Sequence, residues 1–208
     1  MNISKIIESN KLFFTREDLA VMLGLKLSSA SVTCNRYVKA GLLVRLSRNI
    51  FMLKEKFLNI TSNERYVLAN NLQVPSYISF TTALVFYELT TQLQQNYTES
   101  AVIHRSKKIE VYNECFHYIK LKAPLYNNFV KLNGLFIAKP EKAFLDSLYL
   151  MSLGKYSLDI FSLEFDKLNK EEIENIIKYY PVKTKNIWRD CCEMSLCLQK
   201  GCKMPGLC

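Results

Sequence analysis

The sequence predicts an α+β protein, with a helical and basic N-terminal domain followed by a mixed α/β C-terminal domain. Three observations lead there. Apolar residues recur at helical spacing to about residue 40, then give way to two short apolar runs around a polar turn. Beyond residue 100 the period becomes two, as in Ile109-Glu110-Val111-Tyr112 and Phe116-His117-Tyr118-Ile119-Lys120-Leu121. The composition, 49% hydrophobic and 23% charged, is that of a globular chain able to bury a sizeable core.

Ile3, Ile6 and Ile7 give the first residues the pattern of a short amphipathic helix. Thr15 stands before Arg16-Glu17-Asp18, where its hydroxyl can cap a helix with an acidic first turn. Leu19, Ala20, Met22 and Leu23 supply the apolar side of that helix, and Gly24 ends it. Ser28 or Ser29 can cap a second helix running towards Gly41, with Ala30, Cys34, Tyr37 and Val38 inward. Its opposite side carries Ser29, Val32, Arg36 and Lys39, flanked by Ser28, Thr33 and Asn35, a mixture unsuited to a core. Residues 42–46 and 50–53 then flank Ser47-Arg48-Asn49, a tight hairpin in which Asn49 can accept positive φ. Helix, turn, helix and hairpin within ~40 residues is the winged helix-turn-helix arrangement, in which the second helix enters a major groove and the hairpin lies along the backbone or minor groove.

Charge supports this by its location. Residues 24–60 hold seven cations, Lys26, Arg36, Lys39, Arg45, Arg48, Lys54 and Lys56, against Glu55 alone, a local +6 within a chain total of +9. Such a concentration suits phosphate neutralisation with counterion release, so the expected partner is duplex DNA. Ser29, Val32, Thr33 and Arg36 are the candidates for base edges; Ser28, Asn35, Lys39, Arg45, Arg48 and Lys54 are those for phosphates.

Further along, Thr61-Ser62-Asn63-Glu64-Arg65 reads as a helix start, and Val74-Pro75 as its end. The expected organisation is a DNA-binding domain over 1–60, a connecting helix or linker over 61–75, a C-terminal domain over 76–190 and a Cys-rich tail over 191–208. The C-terminal domain opens with a helix around Thr81 to Leu89 and continues with strands near 101–104, 109–112, 116–121 and 134–138. Pro140 begins a helix that buries Ala143, Phe144, Leu148 and Leu150, and Asn169 begins another that Pro181 stops. No apolar run approaches the ~20 residues of a membrane span, and no signal peptide is apparent, so the expected compartment is the cytoplasm, with no membrane partner.

Catalysis is not expected. Both histidines, His104 and His117, lie in alternating strand-like runs, and no glycine-rich phosphate loop, nucleophile elbow or HExxH is present. No catalytic residue, cofactor or metal ligand is assigned. Five of the seven cysteines, Cys191, Cys192, Cys197, Cys202 and Cys208, crowd the last 18 residues, yet their spacing matches no common zinc module. A frayed tail with free thiols is the favoured reading, and a stand-alone regulator with a metal- or redox-responsive tail is the alternative. Cys34 is expected to act as a small buried hydrophobe.

Several segments resemble the AbiEi antitoxins of type IV toxin-antitoxin systems, over about residues 5–190. They are Phe14-Thr15-Arg16-Glu17-Asp18-Leu19-Ala20, Arg36-Tyr37-Val38-Lys39-Ala40-Gly41-Leu42-Leu43, the arginine-bearing hairpin, Tyr77-Ile78-Ser79-Phe80-Thr81-Thr82-Ala83-Leu84 and Ile137-Ala138-Lys139-Pro140-Glu141-Lys142-Ala143-Phe144-Leu145-Asp146. This chain has Asn49 where the family usually has Gly, and Lys139 where it usually has Thr. The resemblance implies a winged helix that represses its own operon at inverted repeats, and a C-terminal domain that counteracts a nucleotidyltransferase-like toxin, directly or indirectly. Glu141, Lys142 and Asp146 are then either structural, with Lys142 and Asp146 paired one turn apart, or part of a surface for neutralisation.

Overall fold

The computed structural model describes residues 3–92 and 94–199, and is a mixed α+β fold. It divides into two compact units, Met1–Val74 with Ile109–Tyr112, and Pro75–Lys108 with Asn113–Cys208. No helix among the described residues is long and apolar enough to cross a membrane.

In the first unit, α1 (Ser4–Ile7), α2 (Arg16–Leu23) and α3 (Leu27–Lys39) precede the antiparallel strands β1 (Leu43–Arg45) and β2 (Phe51–Leu53), and α4 (Lys54–Leu58) and α5 (Ser62–Leu72) follow. Thr15 caps α2 through a reciprocal box with Asp18, and Gly24 closes the helix at φ 64°. Thr61 and Glu64 form a second box at α5. The start of α3 differs from expectation. Its N-cap is Lys26, without a side-chain cap, so Ser28 and Ser29 lie within the first turn. The core unites Ile6, Phe14, Leu19, Leu23, Cys34, Tyr37, Leu43, Phe51 and Leu53. A backbone bridge between Phe14 and Phe51 ties the segment before α2 to the hairpin. The helix α5 belongs to this unit, where Tyr66, Leu68, Ala69 and Leu72 are buried, so residues 61–75 are more than a linker.

The second fold element is a six-stranded mixed sheet of order β5-β6-β4-β3-β8-β7. Its strands are β3 (Ser76–Ile78), β4 (Tyr97–Val102), β5 (Lys107–Val111), β6 (Glu114–Lys120), β7 (Phe129–Leu132) and β8 (Leu135–Ala138). β3 pairs antiparallel with β4 and parallel with β8, and β4 is parallel to β6. Two of these strands, β3 and β7, were not expected from the sequence. The helices of this unit are α6 (Phe80–Phe86), α7 (Pro140–Ser152), α8 (Lys170–Ile176) and α9 (Val182–Gln199). Phe144 on α7 meets the rings of Phe165 and Trp188 edge-on, with centroids 5.7 and 5.8 Å apart.

Over residues 191–199 the expected frayed tail is replaced by α9, with Cys191 1% exposed. Burial pushes the Cys191 thiol up to about 12, with the neighbouring Cys192 and Asp190 acting the same way. The thiol of Cys197 and residues Cys202 and Cys208 lie outside the description.

Candidate nucleic-acid interface

Amphipathicity decides which side of α3 is free. Ala30, Cys34 and Tyr37 are buried in the core, and burial raises the Cys34 thiol above its ordinary value. The other side is solvent-facing: Ser28, Ser29, Val32, Asn35, Arg36 and Lys39 are exposed and Thr33 is half-buried. Val32 is 68% exposed. From the hairpin, Arg45 and Arg48 are exposed, whereas Lys54, just past it, is half-buried with its Nζ 5.7 Å from the centre of the Tyr112 ring.

Some of these residues are drawn together and others are independent. Arg45 donates through Nη2 to Asn35 Oδ1, linking β1 to α3, while its guanidinium lies 5.2 Å over the Phe51 ring. Arg36 lies 5.6 Å over the Tyr37 ring. The hairpin turn is anchored from its other side. Asn49 Oδ1 accepts from Arg16 Nε at 2.6 Å and from the Arg16 amide at 3.3 Å, and Asn49 Nδ2 donates to Glu17 Oε2 at 2.8 Å. That donation from Asn49 holds the Glu17 carboxyl below its usual value. Asn49 is absent from the described residues with positive φ, so the turn does not use the left-handed conformation open to Asn49 and is held by its side chain. Arg16 and Glu17 therefore position the hairpin, a role sequence spacing could not reveal across more than 30 residues of chain.

The three C-terminal candidates do not form a surface. Lys142 and Asp146 are 0% exposed and Glu141 is 8% exposed. Lys142 and Asp146 pair one turn apart on α7. Asp146 Oδ1 also accepts from Tyr180 at 2.9 Å, and Oδ2 accepts from Tyr77 at 3.0 Å and Ser79 at 2.8 Å. Four donors fill the acceptor sites of one carboxylate, so Asp146 has none left for a ligand. Burial lowers the Lys142 ammonium, and the Asp146 charge opposes that shift. Glu141 Oε1 instead accepts from the Asn169 amide at 3.1 Å, at the start of α8. The alternative reading of these residues as an exposed patch does not hold, because α7 buries every residue from Glu141 to Leu150.

This network joins two segments distant in the chain, since Tyr77 and Ser79 come from β3 and the residue after it, and Lys142 and Asp146 from α7. Beside it stands a second buried carboxylate, Glu99 on β4, which accepts from Tyr156 at 2.7 Å and Gln94 at 3.1 Å. Burial raises the Glu99 carboxyl, against the pull of those hydrogen bonds. Between the two networks Phe80 is fully buried at φ 56°, a strained conformation for an aromatic residue. Of the histidines, His104 is exposed, and His117 Nδ1 lies 2.7 Å from the Tyr97 hydroxyl. No group of three His, Cys, Asp or Glu residues among those described could hold a metal ion.

No family model matches this chain, and no curated protein matches it. Among solved structures, the fold is similar to that of the RV2827C protein from Mycobacterium tuberculosis, with a TM-score of 0.60 at 11% sequence identity, across 88% of this chain and 71% of that one. At that identity the likeness is one of fold.

Proposed function

We propose that the protein is a DNA-binding antitoxin: its N-terminal unit acts as a winged helix-turn-helix that represses the operon encoding it, and its C-terminal unit counteracts a nucleotidyltransferase-like toxin. The observation that carries the DNA half is the solvent face of α3, where Ser28, Ser29, Val32, Asn35, Arg36 and Lys39 stand exposed beside a hairpin presenting Arg45 and Arg48. Small and hydroxyl residues let a helix approach base edges, and the cations flanking them neutralise phosphates. The uncapped first turn of α3 leaves backbone amides available to a phosphate as well.

The antitoxin half rests on the AbiEi resemblance of the Tyr77–Leu84 and Ile137–Asp146 segments. With Lys142 and Asp146 inside, these segments serve this role by building the domain, and the neutralising surface lies on other residues of it.

The test is mobility shift of the full-length protein on the DNA upstream of its own gene, across a salt series with unrelated DNA as competitor. Specific binding that weakens steeply with salt is expected. Co-expression with a nucleotidyltransferase-like product of a neighbouring gene is expected to rescue growth. Absence of specific binding would contradict the repressor role, and absence of rescue the antitoxin role.

A further inference from the structure

Resting on the reading of α3 as the helix that enters the major groove, we propose that Val32 and Arg36 together select a thymine and a guanine within about two base pairs of each other. Val32 seats against the thymine 5-methyl group, and Arg36 grips guanine O6 and N7.

Three observations narrow the readout to this pair. First, Val32 is an aliphatic side chain at 68% exposure in the middle of a face otherwise made of hydroxyl, amide and cationic groups. Its neighbours one turn back, Ser28 and Ser29, are small enough to let that part of the helix come close to a base edge. Second, Asn35 is the face's natural reader of adenine, but its Oδ1 already accepts from Arg45. A bidentate contact to adenine N6 and N7 uses that oxygen as well as the amide nitrogen, so the link to β1 restricts the turn of the Asn35 amide and leaves its oxygen one lone pair for a base. Third, Arg36 has no carboxylate partner among the described ion pairs, and its guanidinium is free to turn from the Tyr37 ring towards a base. A four-residue step advances about 6 Å along the helix, against about 3.4 Å per base pair, which sets the separation of the two contacts.

The experiment uses the full-length protein. A footprint on the DNA upstream of its gene defines the site, and each thymine within it is then replaced singly by deoxyuridine, which lacks only the 5-methyl group. One replacement is expected to weaken wild-type binding about 4-fold. Val32→Ala should lose about the same on the thymine duplex and nothing further on the deoxyuridine duplex, and Arg36→Ala should lose its preference for a guanine within about two base pairs of that thymine. If no deoxyuridine matters, or if its effect multiplies with that of Val32→Ala, the pairing is wrong while the DNA-binding role stands. A protein that leaves no footprint overturns both.

Discussion

Asn49 clamps the hairpin to α2, taking Arg16 Nε at 2.6 Å on its carbonyl oxygen and giving its amide to Glu17 at 2.8 Å. One side chain thus fixes where Arg48, its neighbour in the turn, is presented. Because the backbone at Asn49 has no positive φ, its side chain and not its conformational range is what the turn uses. Asn49→Gly is therefore expected to behave like Asn49→Ala, lowering the stability of the N-terminal unit by about 1 kcal/mol and increasing amide exchange across residues 45–51. A neutral glycine variant would return Asn49 to a turn-forming role.

The buried pair on α7 makes a stronger prediction. Asp146→Asn leaves the Lys142 ammonium enclosed without a charge partner, and Lys142→Met does the converse to Asp146. Each is expected to cost about 3–5 kcal/mol, and the double variant less than the two single costs added together. Trp188 is the sole tryptophan and its Nε1 donates to Glu174, so its fluorescence in urea reports on this part of the molecule. Simple additivity would show that the two groups are not coupled.

Glu99 carries a pH dependence of defined sign. Burial raises its carboxyl above the ordinary 4.5, so the folded state holds the proton more tightly than the unfolded chain. Its favourable contribution is complete below 4.5 and is lost as pH rises through the elevated folded value. Glu99→Gln lacks that loss. Its stability relative to wild type should climb as pH rises from 4.5 towards neutrality and then level off, in urea titrations followed by Trp188 fluorescence. A difference that stays flat over this range would mean that Glu99 ionises without penalty.

Cys191 and Cys192 are adjacent in sequence and unlike in setting. Cys191 is 1% exposed, so Cys191→Ser, which buries a hydroxyl in place of a thiol, is expected to cost about 1–3 kcal/mol. Cys192 is half-buried, and its serine variant should cost much less. In the native protein a thiol reagent should modify Cys192 well before Cys191, whose raised thiol is both enclosed and protonated. Equal rates would indicate that α9 opens readily.

Local chemistry made much of this fold legible. Thr15 and Thr61, each followed three residues later by an acid, marked the starts of α2 and α5, and Asn169 marked α8. The inward spacing of Ala30, Cys34 and Tyr37 identified the buried side of α3. Long-range pairing was hidden. β3 is three residues long and wholly buried between β4 and β8, so it has neither the length nor the alternation that would announce a strand. The pairing of Lys142 with Asp146 one turn apart was legible, but not that Tyr77, Ser79 and Tyr180 bond to the same carboxylate from distant parts of the chain. The Asn49 clamp escaped for the same reason, since Asn next to Arg in a turn signals backbone geometry far more strongly than a contact to another helix.

Comparing Arg36→Ala with Arg48→Ala on specific and unrelated duplexes across a salt series separates base reading by α3 from backbone holding by the hairpin. Arg36→Ala should lose about 1–3 kcal/mol on the specific site and little on unrelated DNA, relaxing specificity. Arg48→Ala should weaken both duplexes alike and lower the salt slope by about 1. Equal losses on both duplexes for both variants would contradict base reading by α3, which would then contribute charge but no recognition.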